Sequence, residues 1–188
     1  MNFFDLPFDI KFDLDEFISH PEVKSALSAT TFALPQVSRN ALRKETIEIL
    51  EDRFEAKINR FRMFIYPPMF ITGIHIDGIP GAVTGYAVNI PIANCKGTKM
   101  IFYKERNDLT RASVSMSQSK DNSYSIPFEI RDLECVTGEL ELDKPTVVNT
   151  SVPHNVYSPI DQQRSILSFR FTNFAKPIEY FYEKFHNT

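Results

Sequence analysis

The sequence predicts a mainly β, α+β domain, an expectation that rests on three observations. From Asn59 onward, short apolar runs alternate with clusters of Gly, Pro, Asn, Asp and Ser, the punctuation of strands and turns. No helical periodicity interrupts them before position 172, which argues for an antiparallel sandwich or barrel and against a βαβ sheet. The 188 residues, 43% of them hydrophobic, suit one domain with a sizeable core. The expected organisation of this single domain, 1–188, is helical support over 1–58, a β core over 59–172 and a short closing helix over 176–186.

Each element has its own signal. Pro21 opens a short helix over 20–30, because proline fits the first helical turn, where its missing N–H costs nothing. A longer helix is expected over 35–58. Leu42, Ile47, Leu50, Phe54 and Ile58 would form its apolar stripe, with charge on the other side. Strands are expected at 60–66, 69–76, 84–92, 98–104, 111–117, 125–131, 144–152 and 164–172. Turn-rich connections at 77–81, 94–97, 104–108, 119–123, 137–144 and 157–163 separate them. Pro177 is placed to start the closing helix. The polar stretch 104–125 reads either as a lid or as a long solvated connection.

Composition excludes several classes of function. Twenty-four acids against 21 Lys and Arg give a formal charge of −3, which argues against nucleic acid or an anionic membrane as the main partner. A local basic groove from Arg60, Arg62, Lys104, Arg106 and Arg111 stays open. Cys95 and Cys135 are the two cysteines and lie far apart, which fits a reduced, cytoplasmic setting better than a disulfide framework. No run approaches the roughly 18 apolar residues of a membrane helix, and the N-terminus carries acids where a secretory signal carries lysines.

Phosphate loops, GxGxxG, CxxC pairs and Gly-x-Ser-x-Gly elbows are missing, so the chemistry narrows to histidines and carboxylates. His20 precedes a helix-starting proline and His186 lies in a terminal tail; both read as incidental. His75 and Asp77, in "GIHIDG", stand two residues apart on a strand-like run, so their side chains leave the same face. His154 closes the run "PTVVNTSVP", and a later strand of a barrel can bring it to the same point. Two imidazoles and one carboxylate form the facial set suited to non-haem Fe(II), and zinc can use the same donors. Against this, a lone His-x-Asp is a weak signal in a chain with 24 acids. Arg164 adds information. It stands ten residues past His154, at the start of the alternating strand "RSILSFRFT". A guanidinium entering a β core calls for an anion, and Arg is shaped to grip a carboxylate with two bonds.

His-x-Asp, a distant His and an Arg ten residues later resemble the Fe(II)/2-oxoglutarate-dependent dioxygenase superfamily, over about 69–171. The resemblance implies a double-stranded β-helix (jelly-roll, cupin-like) core, with the N-terminal helices packed on one sheet. It implies His75, Asp77 and His154 as iron ligands and Arg164 as the clamp for the distal carboxylate of 2-oxoglutarate. It also implies O₂ as co-substrate, succinate and CO₂ as products, and hydroxylation of a substrate C–H bond. Halogenating members carry a small residue in place of the carboxylate, so Asp77 favours hydroxylation or the related oxidative demethylation. Some members have Ser two residues after the arginine, where this chain has Ile166, with Ser168 two further on. Arg170 and Lys99 are alternative clamps, and Tyr86 or Asn89 on a neighbouring strand would bond co-substrate or substrate. The substrate, small-molecule or peptidyl, does not follow from the sequence. A cupin-like metal-dependent isomerase or hydrolase without 2-oxoglutarate, and a non-catalytic β-sandwich, are the competing readings.

Overall fold

A computed structural model describes residues 1–77, 85–106, 117–118, 124–171 and 176–187. Among the described residues the strands are β1 (Phe3–Asp5), β2 (Ile58–Tyr66), β3 (Phe70–Ile71), β4 (Ile74–Asp77), β5 (Tyr86–Ala93) and β6 (Lys99–Glu105). They continue with β7 (Ser117–Gln118), β8 (Tyr124–Phe128), β9 (Leu133–Leu140), β10 (Thr146–Asn149), β11 (His154–Ser158) and β12 (Arg164–Phe171). The helices are α1 (Leu14–Ser19), α2 (Pro21–Leu27), α3 (Lys44–Arg53) and α4 (Ile178–His186).

Two antiparallel sheets result. The first has the order β1-β10-β5-β12-β2; the second has β7-β8-β4-β11-β6-β9, with β3 also on β11. The chain crosses between them repeatedly. β2, β5, β10 and β12 belong to the first sheet, and β4, β6, β9 and β11 to the second. That winding is a double-stranded β-helix, the jelly-roll or cupin-like architecture the sequence led one to expect.

Strand alternation divides the core in two. On β12, Leu167, Phe169 and Phe171 join α3, α4 and the N-terminal helices in one apolar cluster. Ile166, on the other face, joins Tyr66, Met100, Phe102 and Val156 between the sheets. The first sheet is thus covered on both faces, so its central strands are nearly continuously buried. Phe54, at the end of α3, anchors the helical layer. Its ring lies 4.8 Å from Phe171 and 5.2 Å from both Phe181 and Phe185.

Several elements depart from the sequence expectations. The helix expected over 35–58 forms only as α3. Before it, Ala33 and Gln36 bridge to Ile65 and Arg62, because the outer edge of β2 offers unpaired backbone groups. Leu42 and Ile58 are still buried, but from a turn and a strand. The single strand expected over 69–76 splits into β3 and β4. Between them Thr72 bonds Val156 in both directions, through its N–H and its hydroxyl. The connection expected over 137–144 overlaps β9, an edge strand whose largely exposed residues hide the alternation. β1, in the stretch read as helical, pairs with β10. Residues 107–116 and 119–123, the bulk of the expected lid or connection, lie outside the described residues.

Candidate metal centre

The second sheet brings the two histidines together. His75 on β4 is the direct cross-strand partner of His154 on β11, and their ring centroids stand 4.7 Å apart. His154 therefore opens β11 instead of closing the preceding strand, as the sequence had suggested; "NTSVP" carries the chain from one sheet to the other. Asp77, two residues along β4, leaves the same face as His75. Donor atoms of His75, Asp77 and His154 all lie within 4.8 Å of one another. A cation with bonds near 2 Å holds adjacent donors about 3 Å apart, so modest side-chain motion closes the set.

Backbone carbonyls fix how the rings present themselves. His75 Nδ1 donates to Gly73 O at 2.8 Å, and His154 Nδ1 donates to Val152 O at 2.9 Å. Each bond assigns the proton to Nδ1 and leaves the Nε2 lone pair to the site, the arrangement that hydrogen-bonding carbonyls impose on metal-ligating histidines. His75 and Asp77 are each about a quarter exposed, whereas His154 is buried. The cluster is therefore open on one side.

Its electrostatics follow from that packing. Burial pushes the His154 imidazole down, and the neighbouring His75 adds to this, to about 4. Burial would lower His75 too, but its Nε2 lies 3.4 Å from Asp77 Oδ1, and that carboxylate raises it above 6.5. Burial would raise Asp77, yet the Arg170 charge and the His75 hydrogen bond hold it well below the usual carboxylate range.

The other expected residues are placed as follows. Arg164 is 2% exposed, and its guanidinium lies 4.9 Å over the Tyr66 ring. It shares strand parity with Ile166, so it faces the space between the sheets. Among the described residues, its Nε and Nη1 meet no hydrogen-bond acceptor. Asn89 pairs in register with Ser168 on that same face, and Asn89 Oδ1 and Ser168 Oγ are likewise buried without partners. Ser158 Oγ, on the His154 side of β11, is a fourth such group. Burying a cation and several polar atoms without partners is costly, so an acidic, polar molecule would be complementary to this space.

Two expected contributors lie elsewhere. Tyr86 packs with the helical cluster, on the opposite face of β5 from Asn89, and its hydroxyl donates to Lys176 O at 3.1 Å. Lys99 points outward from β6 and pairs with Glu139 at 2.5 Å, out of reach of an inter-sheet ligand. Arg170 faces the site but is engaged with Asp77 and Thr150. Ser158 and Thr150 were not singled out as site residues by sequence reasoning, since a Ser or Thr in a strand carries no local mark.

No protein-family model matches the chain, and no curated protein matches it by sequence. Among solved structures it is similar to a cupin domain from Bordetella pertussis Tohama I, at 11% identity, over 78% of this chain and 98% of that one, with a TM-score of 0.35. It is also similar to an oxidoreductase of the 2OG-Fe(II) oxygenase family from Burkholderia pseudomallei, at 13% identity, over 69% and 51%, with a TM-score of 0.38. A third is E. coli ycfD, at 19% identity, over 81% of this chain and 36% of that one, with a TM-score of 0.42. The strand winding and the donor set define the class: a cupin-like double-stranded β-helix protein with a candidate two-histidine, one-aspartate metal site.

Proposed function

We propose that the chain is a non-haem Fe(II)- and 2-oxoglutarate-dependent oxygenase that hydroxylates a substrate C–H bond. In the balanced reaction, substrate, 2-oxoglutarate and O₂ give hydroxylated substrate, succinate and CO₂. His75, Asp77 and His154 would hold the iron, which with its co-substrate supplies the oxidising chemistry when bound. Arg164 would bind the distal carboxylate of 2-oxoglutarate, with Asn89, Ser158 and Ser168 as hydrogen-bonding neighbours on the same inter-sheet space. The apolar lining from Phe102, Val156 and Ile166 would keep water from the bound acid.

The observation that carries this reading is the buried Arg164 guanidinium with two nitrogens unpartnered, facing the inter-sheet space on which the histidine pair also opens. A cupin-like hydrolase or isomerase would use the metal donors alone and has no need of that cation.

The test is direct. Protein prepared without oxygen is given Fe(II), ascorbate and 2-oxoglutarate, then air, and succinate is measured. Turnover above background, lost in His75→Ala and in Arg164→Met, is the expected result. Succinate at background in the unaltered protein, across several candidate substrates, would remove the oxygenase assignment.

A further inference from the structure

Asp77 is held by groups from outside its own strand. Arg170 reaches across from β12 in the first sheet. Its Nη2 donates to Asp77 Oδ2 at 2.5 Å and its Nη1 to Thr150 Oγ1 at 2.7 Å. The carbonyl of Thr150 accepts the backbone N–H of Asp77 at 2.9 Å, and the N–H of Thr150 donates to Gly85 O at 2.6 Å. A closed ring results, running from the Asp77 carboxylate through the Arg170 guanidinium, the Thr150 hydroxyl and the Thr150 carbonyl back to the Asp77 amide. It ties the two sheets together at the metal donors, and Thr150 is only 1% exposed.

We infer that Arg170 and Thr150 are positioning residues that fix Asp77 as a one-oxygen metal ligand. The inference rests on the metal-site reading above. Oδ2 is taken by a charge-assisted bond from a planar fork, which allows little rotation of the carboxylate. Oδ1 is left facing His75 Nε2, on the side where the donors converge. A carboxylate with both oxygens free can swing to bind through either or both. This one cannot, so a coordination position is kept for other ligands. Thr150 sets the guanidinium plane through one arm while anchoring the end of β4 through its carbonyl. With those two arms engaged, Arg170 serves the aspartate, which leaves Arg164 to meet an acidic ligand.

The test uses the metal-free full-length chain titrated with Co(II), reading affinity and the visible ligand-field spectrum. Thr150→Val keeps shape and removes the hydroxyl; Arg170→Lys keeps charge and removes the fork. Both are expected to bind Co(II) about ten- to hundred-fold more weakly, as losses of outer-shell partners do. Both should also show an altered band, as Oδ2 becomes available to the metal. Arg164→Met is expected to keep the affinity and spectrum of the unaltered chain, which separates the two arginines. Unaltered affinity and spectrum in a folded Thr150→Val would overturn the inference, whether or not Arg170→Lys folds. If the unaltered chain binds Co(II) no better than His75→Ala, the metal-site reading itself fails and the inference falls with it.

Discussion

Arg164 and the two histidines obey opposite electrostatic logics. A guanidinium cannot shed its charge, so burying it with Nε and Nη1 unpartnered costs the free protein stability. Replacing it by an apolar side chain of similar length relieves that cost. Arg164→Met should therefore melt at the same or a higher temperature than the parent while binding 2-oxoglutarate at least about a hundred-fold more weakly, since a buried charge contact is lost. A clear drop in melting temperature would mean that Arg164 is satisfied within the fold. Histidine can shed its charge, and here it must. His75 is raised above 6.5 by Asp77 and is protonated when its neighbour His154 is not. Its proton has to leave Nε2 before a cation binds. Metal affinity should climb through the His75 pKa, by up to about tenfold per pH unit, with about one proton released on binding. Affinity that stays flat from about pH 6 to about pH 8 would contradict this account.

At the scale of elements, the helices matter because the first sheet must be covered on the face away from the site. Phe54 carries much of that contact, meeting β12 and α4 through three rings. Phe54→Ala should cost about 3–5 kcal/mol in chemical denaturation, from lost burial plus a cavity. A loss under about 1 kcal/mol would show that α3 and α4 close over the gap. The same scale explains which elements the sequence discloses. β12 and β4 are legible because side-chain period and spacing are local: Arg164 and Ile166, or His75 and Asp77, share a face wherever the strand ends up. β9 is illegible because an exposed edge strand loses its alternation. The segment before α3 looks helical by its own residues yet bridges to β2, because an open strand edge outweighs a weak local preference. Tyr86 and Asn89 stood as equal candidates in the sequence. Register on β5 sends one to the helices and the other between the sheets.

At the scale of the whole molecule, the donor cluster links stability to pH. His154 is depressed to about 4, so its contribution is complete above 6.5 and is lost as pH falls from there, because the unfolded chain takes a proton that the folded one refuses. His75 is raised, so its contribution is complete below 6.5 and is lost as pH rises through its folded value. Asp77 is depressed, so its contribution holds above 3.8 and fails below. Between them, the two histidines contribute most to the stability of the metal-free protein near 6.5. Melting temperatures across pH should fall on both sides, and saturating metal should flatten the alkaline side by taking the place of the His75 proton. A pH profile of the metal-free protein unchanged by His154→Gln would contradict this account.

The sequence by itself determined a mainly β chain, a helix opened by Pro21 and a closing helix after Pro177, the His-x-Asp pair on one strand face and an arginine at the head of a late strand. These are properties of neighbours along the chain, set by backbone period and turn chemistry. Only the tertiary structure decided that His154 opens a strand directly opposite His75, that Arg164 lies between the sheets with two nitrogens unpartnered, and that Arg170 and Thr150 hydrogen-bond around Asp77. Those facts depend on which strands become partners, and partnership is chosen by burial of the whole sandwich, a sum over distant residues that no local stretch encodes.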